Sequence, residues 1–132
     1  YIIPFFIFLG VIIPFTMHEL SVTENVLEIA LKHAESSKAI KVLRVNLVIG
    51  QLSSIIDDSV EFYWDSITEG TLCENSALTF RRLPAIFQCL NCGSRFNLSE
   101  ELTTCPQCKG NKTQMISGDE FYVDSIEIEK EE

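Results

Sequence analysis

Basic residues are scarce in this chain, which carries ten lysines and arginines against nineteen acidic residues and a net charge of −9. A field of this sign repels phosphate backbones and anionic lipid headgroups, so the charge balance argues against nucleic acid and membrane surfaces as partners. No Lys or Arg occurs before Lys32. The apolar N-terminus therefore lacks the basic start that a secretory signal peptide requires.

The first sixteen residues, YIIPFFIFLGVIIPFT, contain no charge. They are shorter than the ~20 apolar residues that a membrane-spanning helix needs, and Pro4 and Pro14 would interrupt that helix. Polar, periodic sequence begins at Met17. We therefore interpret residues 1–16 as a non-native or upstream-translated hydrophobic leader, with a hydrophobic anchor or signal remnant as the alternative.

Beyond Met17 the pattern predicts two helices. Apolar residues recur every three to four positions from His18 to Ser37, and Ser21 followed by Glu24 fits a capping box that starts the helix near Ser21. A second helix is predicted to start near Asp57, Asp58 or Ser59, any of which can cap it, and to run towards Gly70.

Three strands are predicted at residues 40–50, 76–83 and 121–129, the last with a bulge near Ser125 where the alternation slips. The expected fold is α+β, with two helices packed on a small three-stranded mixed sheet. This domain comprises residues 17–84 and 119–132, and residues 85–118 form an inserted zinc-ribbon domain. No repeat or low-complexity tract interrupts this organisation.

Four of the five cysteines form two Cys-x-x-Cys pairs, Cys89 with Cys92 and Cys105 with Cys108, separated by twelve residues. This spacing is typical of one tetrahedral Zn(II) ion, and four thiolates leave no open position for a catalytic water. The site is therefore predicted to be structural. A redox dithiol pair and an iron–sulfur centre are the alternatives. Reduced cysteines also predict a cytoplasmic location.

If Met17 is the first residue, the chain opens Met-His-Glu and offers a free amine, an amide nitrogen and the His18 imidazole. Nitrogen-rich planar chelation of this kind favours nickel(II) or copper(II), and nickel is the better cytosolic candidate. With the leader retained, the Met17 nitrogen is an amide and the chelate is weakened. His18 and Glu19 do not form a zinc-protease motif, because Val22 stands where the second histidine would be needed.

At these residues the sequence resembles the HypA/HybF family of hydrogenase and urease nickel-maturation proteins, from Met17 to about Glu129. The resemblance rests on MHELSV at 17–22, VLRVNLVIGQLS at 42–53, the aromatic second helix, the paired Cys-x-x-Cys ribbon and the final acidic strand. It implies a nickel metallochaperone without enzymatic activity. Met17, His18 and Glu19 would bind the Ni(II) cargo, and Asp57 or Asp58 would be a further ligand.

The resemblance also implies partners, namely a HypB-type GTPase and the hydrogenase large subunit, with urease accessory proteins as further candidates. We expect a monomer or weak homodimer that uses neither nucleic acid nor membrane. The alternative function is a zinc-ribbon interaction or nucleic-acid-binding module without nickel transfer. A nucleic-acid module would call for a basic face with exposed aromatics, which the acidic balance opposes.

Overall fold

The structure is a computed structural model that describes residues 2–12, 19–97 and 104–131. Its two helices are α1 (Glu19–Ser36) and α2 (Asp57–Ile67). Its strands are β1 (Ile2–Ile12), β2 (Lys41–Gly50), β3 (Ala77–Leu83), β4 (Ile86–Cys89), β5 (Arg95–Asn97), β6 (Thr113–Ser117) and β7 (Phe121–Glu131). The α+β class predicted from the sequence is confirmed.

The strands form two sheets. The larger sheet has four strands in the order β1-β7-β2-β3, and β2 and β3 are parallel while the other neighbours are antiparallel. The smaller sheet has the order β5-β4-β6 and is antiparallel. It is inserted between β3 and β7, so the chain leaves the larger sheet at one edge strand and returns to its interior.

The predicted three-stranded sheet is wrong by one strand, because residues 2–12 pair with the outer edge of β7. Their aliphatic and aromatic residues suit a strand, and an edge strand is where a proline such as Pro4 is tolerated. Ile7 and Leu9 pack against the core, while Phe6 and Phe8 point outwards. The segment interpreted as a leader thus has a place in this sheet.

Both helices pack on the apolar core beside the larger sheet. Strand β2 contributes Val45, Leu47 and Ile49, and α2 contributes Trp64, whose indole Nε1 donates to Ser76 Oγ at 3.0 Å. From α1 the core receives Val22, Val26, Ala30 and Ala34, at the three-to-four spacing that predicted the helix. The periodicity therefore located the buried face correctly.

The start of the first helix and the capping of the second differ from prediction. Helix α1 begins at Glu19, two residues before the predicted capping box, and Thr23 Oγ1 donates to the Glu19 carbonyl at 2.5 Å. Helix α2 begins at Asp57, but its N-cap is Ile56 and makes no side-chain capping bond. Asp57 and Asp58 in its first turn stabilise the helix instead, because their negative charges lie near the positive end of the helix dipole.

The predicted bulge in the last strand is confirmed. The register of β7 shifts around Asp124 against both β1 and β2. Ser125 and Val123 pair with consecutive residues of β2, so Asp124 between them has no partner in that strand. Among the described residues no helix is both long and apolar enough to cross a membrane.

Candidate metal centre

The four paired cysteines lie on two similar turns of the smaller sheet. In the first turn, Cys89 N donates to Ser94 O at 2.8 Å and Gly93 N to Cys89 O at 2.9 Å. In the second, Cys105 N donates to Gly110 O at 2.9 Å and Lys109 N to Cys105 O at 2.8 Å. The two turns therefore have the same hydrogen-bonding pattern, with matching sequence offsets.

Both turns need a left-handed residue four positions after their first cysteine. Gly93 takes this conformation at φ 77°, and Lys109 takes it at φ 63°. A glycine takes this conformation only in the first turn, whereas a lysine takes it in the second. Gly110 serves differently, because a Cβ on it would approach Cys108 Sγ to 3.3 Å. Its missing side chain leaves room for the sulfur.

The sulfur positions fit a tetrahedral zinc ion. All four Sγ atoms lie within 4.8 Å of one another, and the Cys89–Cys108 and Cys92–Cys105 Sγ pairs are each 3.6 Å apart. Zinc–sulfur bonds of about 2.3 Å place tetrahedral sulfurs about 3.8 Å apart. A disulfide requires about 2.05 Å, so these are free thiols facing one point. The cluster is therefore built to hold one metal ion.

Backbone donors point at the first sulfur of each turn. Cys92 N approaches Cys89 Sγ at 3.5 Å, and Gln107 N approaches Cys105 Sγ at 3.4 Å. Such donors stabilise thiolate charge around a metal. Cys89 and Cys105 are buried, whereas Cys92 and Cys108 are exposed. A metal or a chelator can therefore approach from the side of the second cysteine of each pair.

The cysteines differ in acidity. Hydrogen bonding to the Ser94 hydroxyl and backbone lowers the pKa of Cys92 to about 6, and backbone N–H groups, that of Cys92 first, lower the pKa of Cys89. The Gly110 N–H acts to lower the pKa of Cys108, but nearby thiols, that of Cys89 first, raise it to about 11. At neutral pH metal binding must therefore displace protons.

The structure describes only some of the predicted nickel ligands. Met17 and His18 lie outside the described residues, and Glu19 is the half-exposed first residue of α1. Asp57 forms an ion pair with Arg82 at 2.5 Å, and Asp58 is exposed in the same turn. The structure thus brings the four cysteines together, whereas the carboxylate of Asp57 already has a structural partner.

Sequence reasoning missed the residues that join the two sheets. Gln51 Oε1 accepts a hydrogen bond from Ala85 N at 2.8 Å, and Gly118 O accepts one from Leu52 N at 2.6 Å. These contacts tie the segment after β2 to both ends of the ribbon. The glycine of IGQLS, Gly50, is visible in the sequence. The close backbone approach that requires a glycine at this position is visible only in the structure.

Comparison with known proteins identifies this arrangement. The profile of the family described as hydrogenase/urease nickel incorporation, metallochaperone, hypA matches residues 17–128. The hydrogenase maturation factor HypA of Dehalococcoides mccartyi strain 195 is 40% identical over 115 residues, covering 87% of this chain and 97% of that protein. The factor of the same name from Caldanaerobacter subterraneus subsp. tengcongensis is 42% identical over 114 residues, covering 86% and 100%.

Two solution structures share the fold. The nickel metallochaperone HypA from Helicobacter pylori aligns with a TM-score of 0.62 at 24% identity, covering 87% of this chain and 100% of that chain. Another, titled HypA protein, aligns with a TM-score of 0.67 at 23% identity, covering 85% and 96%. Because the profile spans most of this chain and the relatives align over nearly their whole length, the chain belongs to the HypA family of non-catalytic nickel metallochaperones for hydrogenase maturation.

Proposed function

We propose that this chain binds Ni(II) through Met17, His18 and Glu19 and delivers it to immature [NiFe]-hydrogenase, with urease maturation as a further client pathway. The observation that carries the proposal is the start of the family match at Met17, which puts Met-His-Glu at the first three matched positions. Nickel is the cargo in this scheme, and zinc at the four cysteines is the resident ion.

The nickel site is proposed to form from nitrogens of consecutive residues. The amine of Met17, the amide nitrogen of His18 and its imidazole can surround a planar Ni(II) ion, and Glu19 adds a carboxylate. This requires a chain whose first residue is Met17, because a peptide nitrogen must lose a proton before it can bind metal. We accordingly propose that residues 1–16 are absent from the nickel-binding form.

The zinc ion is proposed to be structural. Cys89, Cys92, Cys105 and Cys108 would hold it as four thiolates, and a full tetrahedral shell supplies folding energy rather than a reactive water. The ribbon at residues 85–118 is a separate domain in this proposal. Its described part contributes only Cys89, Cys105 and Ala85 to the buried apolar residues, so metal binding would supply what a core does not.

The partners follow from the delivery role. We propose a HypB-type GTPase and the hydrogenase large subunit as contacts of a cytoplasmic monomer or weak homodimer, with urease accessory proteins in the second pathway. The alternative, a zinc-ribbon interaction or nucleic-acid-binding module, would hold zinc and no nickel. The net charge of −9 disfavours nucleic acid.

Metal titration of two forms of the protein tests the proposal. Protein beginning at Met17 should bind one Ni(II) tightly by calorimetry, protein beginning at Tyr1 should bind it much more weakly, and both should retain one zinc by elemental analysis. His18→Ala in the shorter form should abolish tight binding, whereas His33→Ala is the matched control. Equal nickel affinity of the two forms would remove the amine from the site, and zinc without nickel in either form would favour the alternative.

A further inference from the structure

Helix α2 carries a large aromatic side chain on its outer side. Phe62 is 71% exposed, whereas Val60 and Trp64 of the same helix are buried in the core. The indole of Trp64 is fixed by its bond to Ser76, so the rotation of the helix about its axis is set from the inside. Phe62 is thereby held outwards on a rigid element and is not needed to complete the core.

Acidic residues flank this ring. Glu61, Asp65 and Glu69 are exposed. Asp65 lies four residues after Glu61 and three after Phe62, spacings that share one side of a helix, and Glu69 lies in the turn that follows α2. We call these four residues the acidic aromatic face. Within α2, Glu61 and Asp65 form a like-charge pair four residues apart, which weakens a helix. This repulsion does not stabilise the isolated chain.

The acids of this face are not neutralised within the described part of the chain. The ion pairs found there are Arg44–Glu127 and Arg82–Asp57, and neither involves Glu61, Asp65 or Glu69. Phe62 contacts the ring of Tyr63 edge-to-face, with centroids 5.5 Å apart. The face therefore presents an aromatic anchor within a negative field, and both features lack a counterpart in this part of the molecule.

We infer that the acidic aromatic face docks a protein partner whose surface carries lysines or arginines around an apolar recess. The recess would take the phenyl ring, whose face also attracts a cation, and the basic residues would pair with the three carboxylates. Aromatic residues are enriched in protein interfaces, whose rims are polar. The inference rests on the proposed function, because a metal carrier must contact the protein that receives its cargo.

Charge selects this occupant over others. A second copy of the chain meeting this face about a two-fold axis would oppose acid to acid. Nucleic acid and anionic membranes would be repelled for the same reason. A basic protein surface is the complementary occupant, and its approach would be accelerated by the field at low salt.

Binding of the full chain to purified partners tests the inference. Affinity is measured by calorimetry or interferometry for the HypB-type GTPase and the hydrogenase large subunit of the same organism, with and without nickel, from 50 to 400 mM salt. Phe62→Ser should weaken binding to at least one of them roughly tenfold or more. Glu61→Gln with Asp65→Asn should flatten the salt dependence of that complex. Leu90→Ser, which alters a ribbon residue that is 62% exposed, is the matched control and should leave binding unchanged.

Melting temperature and zinc content show whether each variant is folded. Loss of binding by Phe62→Ser with both readouts unchanged supports docking at this face. The inference is overturned if Phe62→Ser binds as tightly as Leu90→Ser and the unaltered chain. It is also overturned if neither partner forms a salt-dependent complex. A chain that binds a partner through Phe62 but never holds nickel, even when it begins at Met17, would instead refute the proposed function and leave the docking face in place.

Discussion

Gly50 and Gly118 pack backbone against backbone where the two sheets meet. A Cβ on Gly50 would lie 2.2 Å from both the carbonyl carbon and the carbonyl oxygen of Gly118. Gly118 itself has φ 133°, and its own Cβ would approach that of Ala85 to 2.7 Å. The end of β2 and the return of the chain from the ribbon therefore require two glycines facing each other.

Gly50→Ala should destabilise the protein by about 3 kcal/mol, because the obstructing atoms are backbone and cannot rotate away. Urea unfolding of the zinc-loaded protein measures the loss. Gly70→Ala is the control without such an obstruction, since Gly70, unlike Gly50, has a positive φ, 76°, and nothing lies within 4 Å of its Cβ position. It should cost about 1 to 2 kcal/mol through the backbone alone. Equal losses for the two variants would show that the Gly50–Gly118 contact is not tight in solution.

The sequence predicted those parts of the fold whose signals are local. The three-to-four period of α1, the alternation in β2 and the slip near Ser125 each arise within one element, and each was found. The cysteine spacing predicted the metal cluster for the same reason, because a Cys-x-x-Cys turn fixes its own geometry. Local patterns were enough for the closed metal site.

Contacts between distant segments were not predictable. The pairing of residues 2–12 with β7 joins the two ends of the described chain, and the Asp57–Arg82 ion pair joins residues 25 positions apart. Nothing in the pattern at Asp57 separates a metal ligand, a helix cap and an ion-pair partner, because all three use the same carboxylate. Nickel binding at Met17 and His18 stays a prediction.

Ser76→Ala should destabilise the protein by about 1 to 3 kcal/mol, because it leaves the buried indole N–H of Trp64 without its acceptor. Trp64 is the one tryptophan of the chain, so its fluorescence reports this site directly. Unfolding in urea, followed by that fluorescence, measures the change. Ser66→Ala, at an exposed position of α2, is the control and should change the free energy of unfolding by less than about 0.5 kcal/mol. A neutral Ser76→Ala would mean that the indole finds another acceptor.

Cys73 should be protected from thiol reagents in the folded protein. Burial raises the pKa of its thiol to about 12, so the reactive thiolate is rare at pH 8. After zinc removal, iodoacetamide should label the ribbon cysteines but not Cys73. In the denatured protein Cys73 should be labelled as well, and mass spectrometry of tryptic peptides measures both results. Labelling of Cys73 at the rate of the exposed Cys92 would contradict its burial.

The same shift makes stability depend on pH in the alkaline range. The folded protein keeps the Cys73 proton between about pH 9 and pH 12, whereas the unfolded chain releases it, so this contribution is present below pH 9 and is lost as pH rises. The wild type should lose more unfolding free energy between pH 8.5 and pH 10.5 than Cys73→Ala. Parallel pH profiles of the two proteins would place the thiol in water.

Zinc removal should unfold the ribbon and spare the larger sheet. Cys89 and Cys105 are buried around the metal position, and the ion is what would hold the four cysteines together. Chelation should therefore abolish amide protection in β4, β5 and β6. Hydrogen exchange with mass spectrometry measures this. Trp64 fluorescence should stay unchanged, because that indole lies in the apolar core beside the larger sheet. Cys105→Ser should reproduce the effect of the chelator without any chelator present.

The control for that variant is Cys73→Ala, which should retain one zinc per chain. Because the thiol pKa of Cys108 is raised to about 11 in the metal-free cluster, zinc uptake at pH 7 should release protons, which calorimetry in buffers of different ionisation enthalpy can count. Loss of amide protection throughout β2 and β7 after chelation would instead show that the larger sheet also needs zinc to stay folded. Retained protection in β4 would show that the ribbon folds without metal.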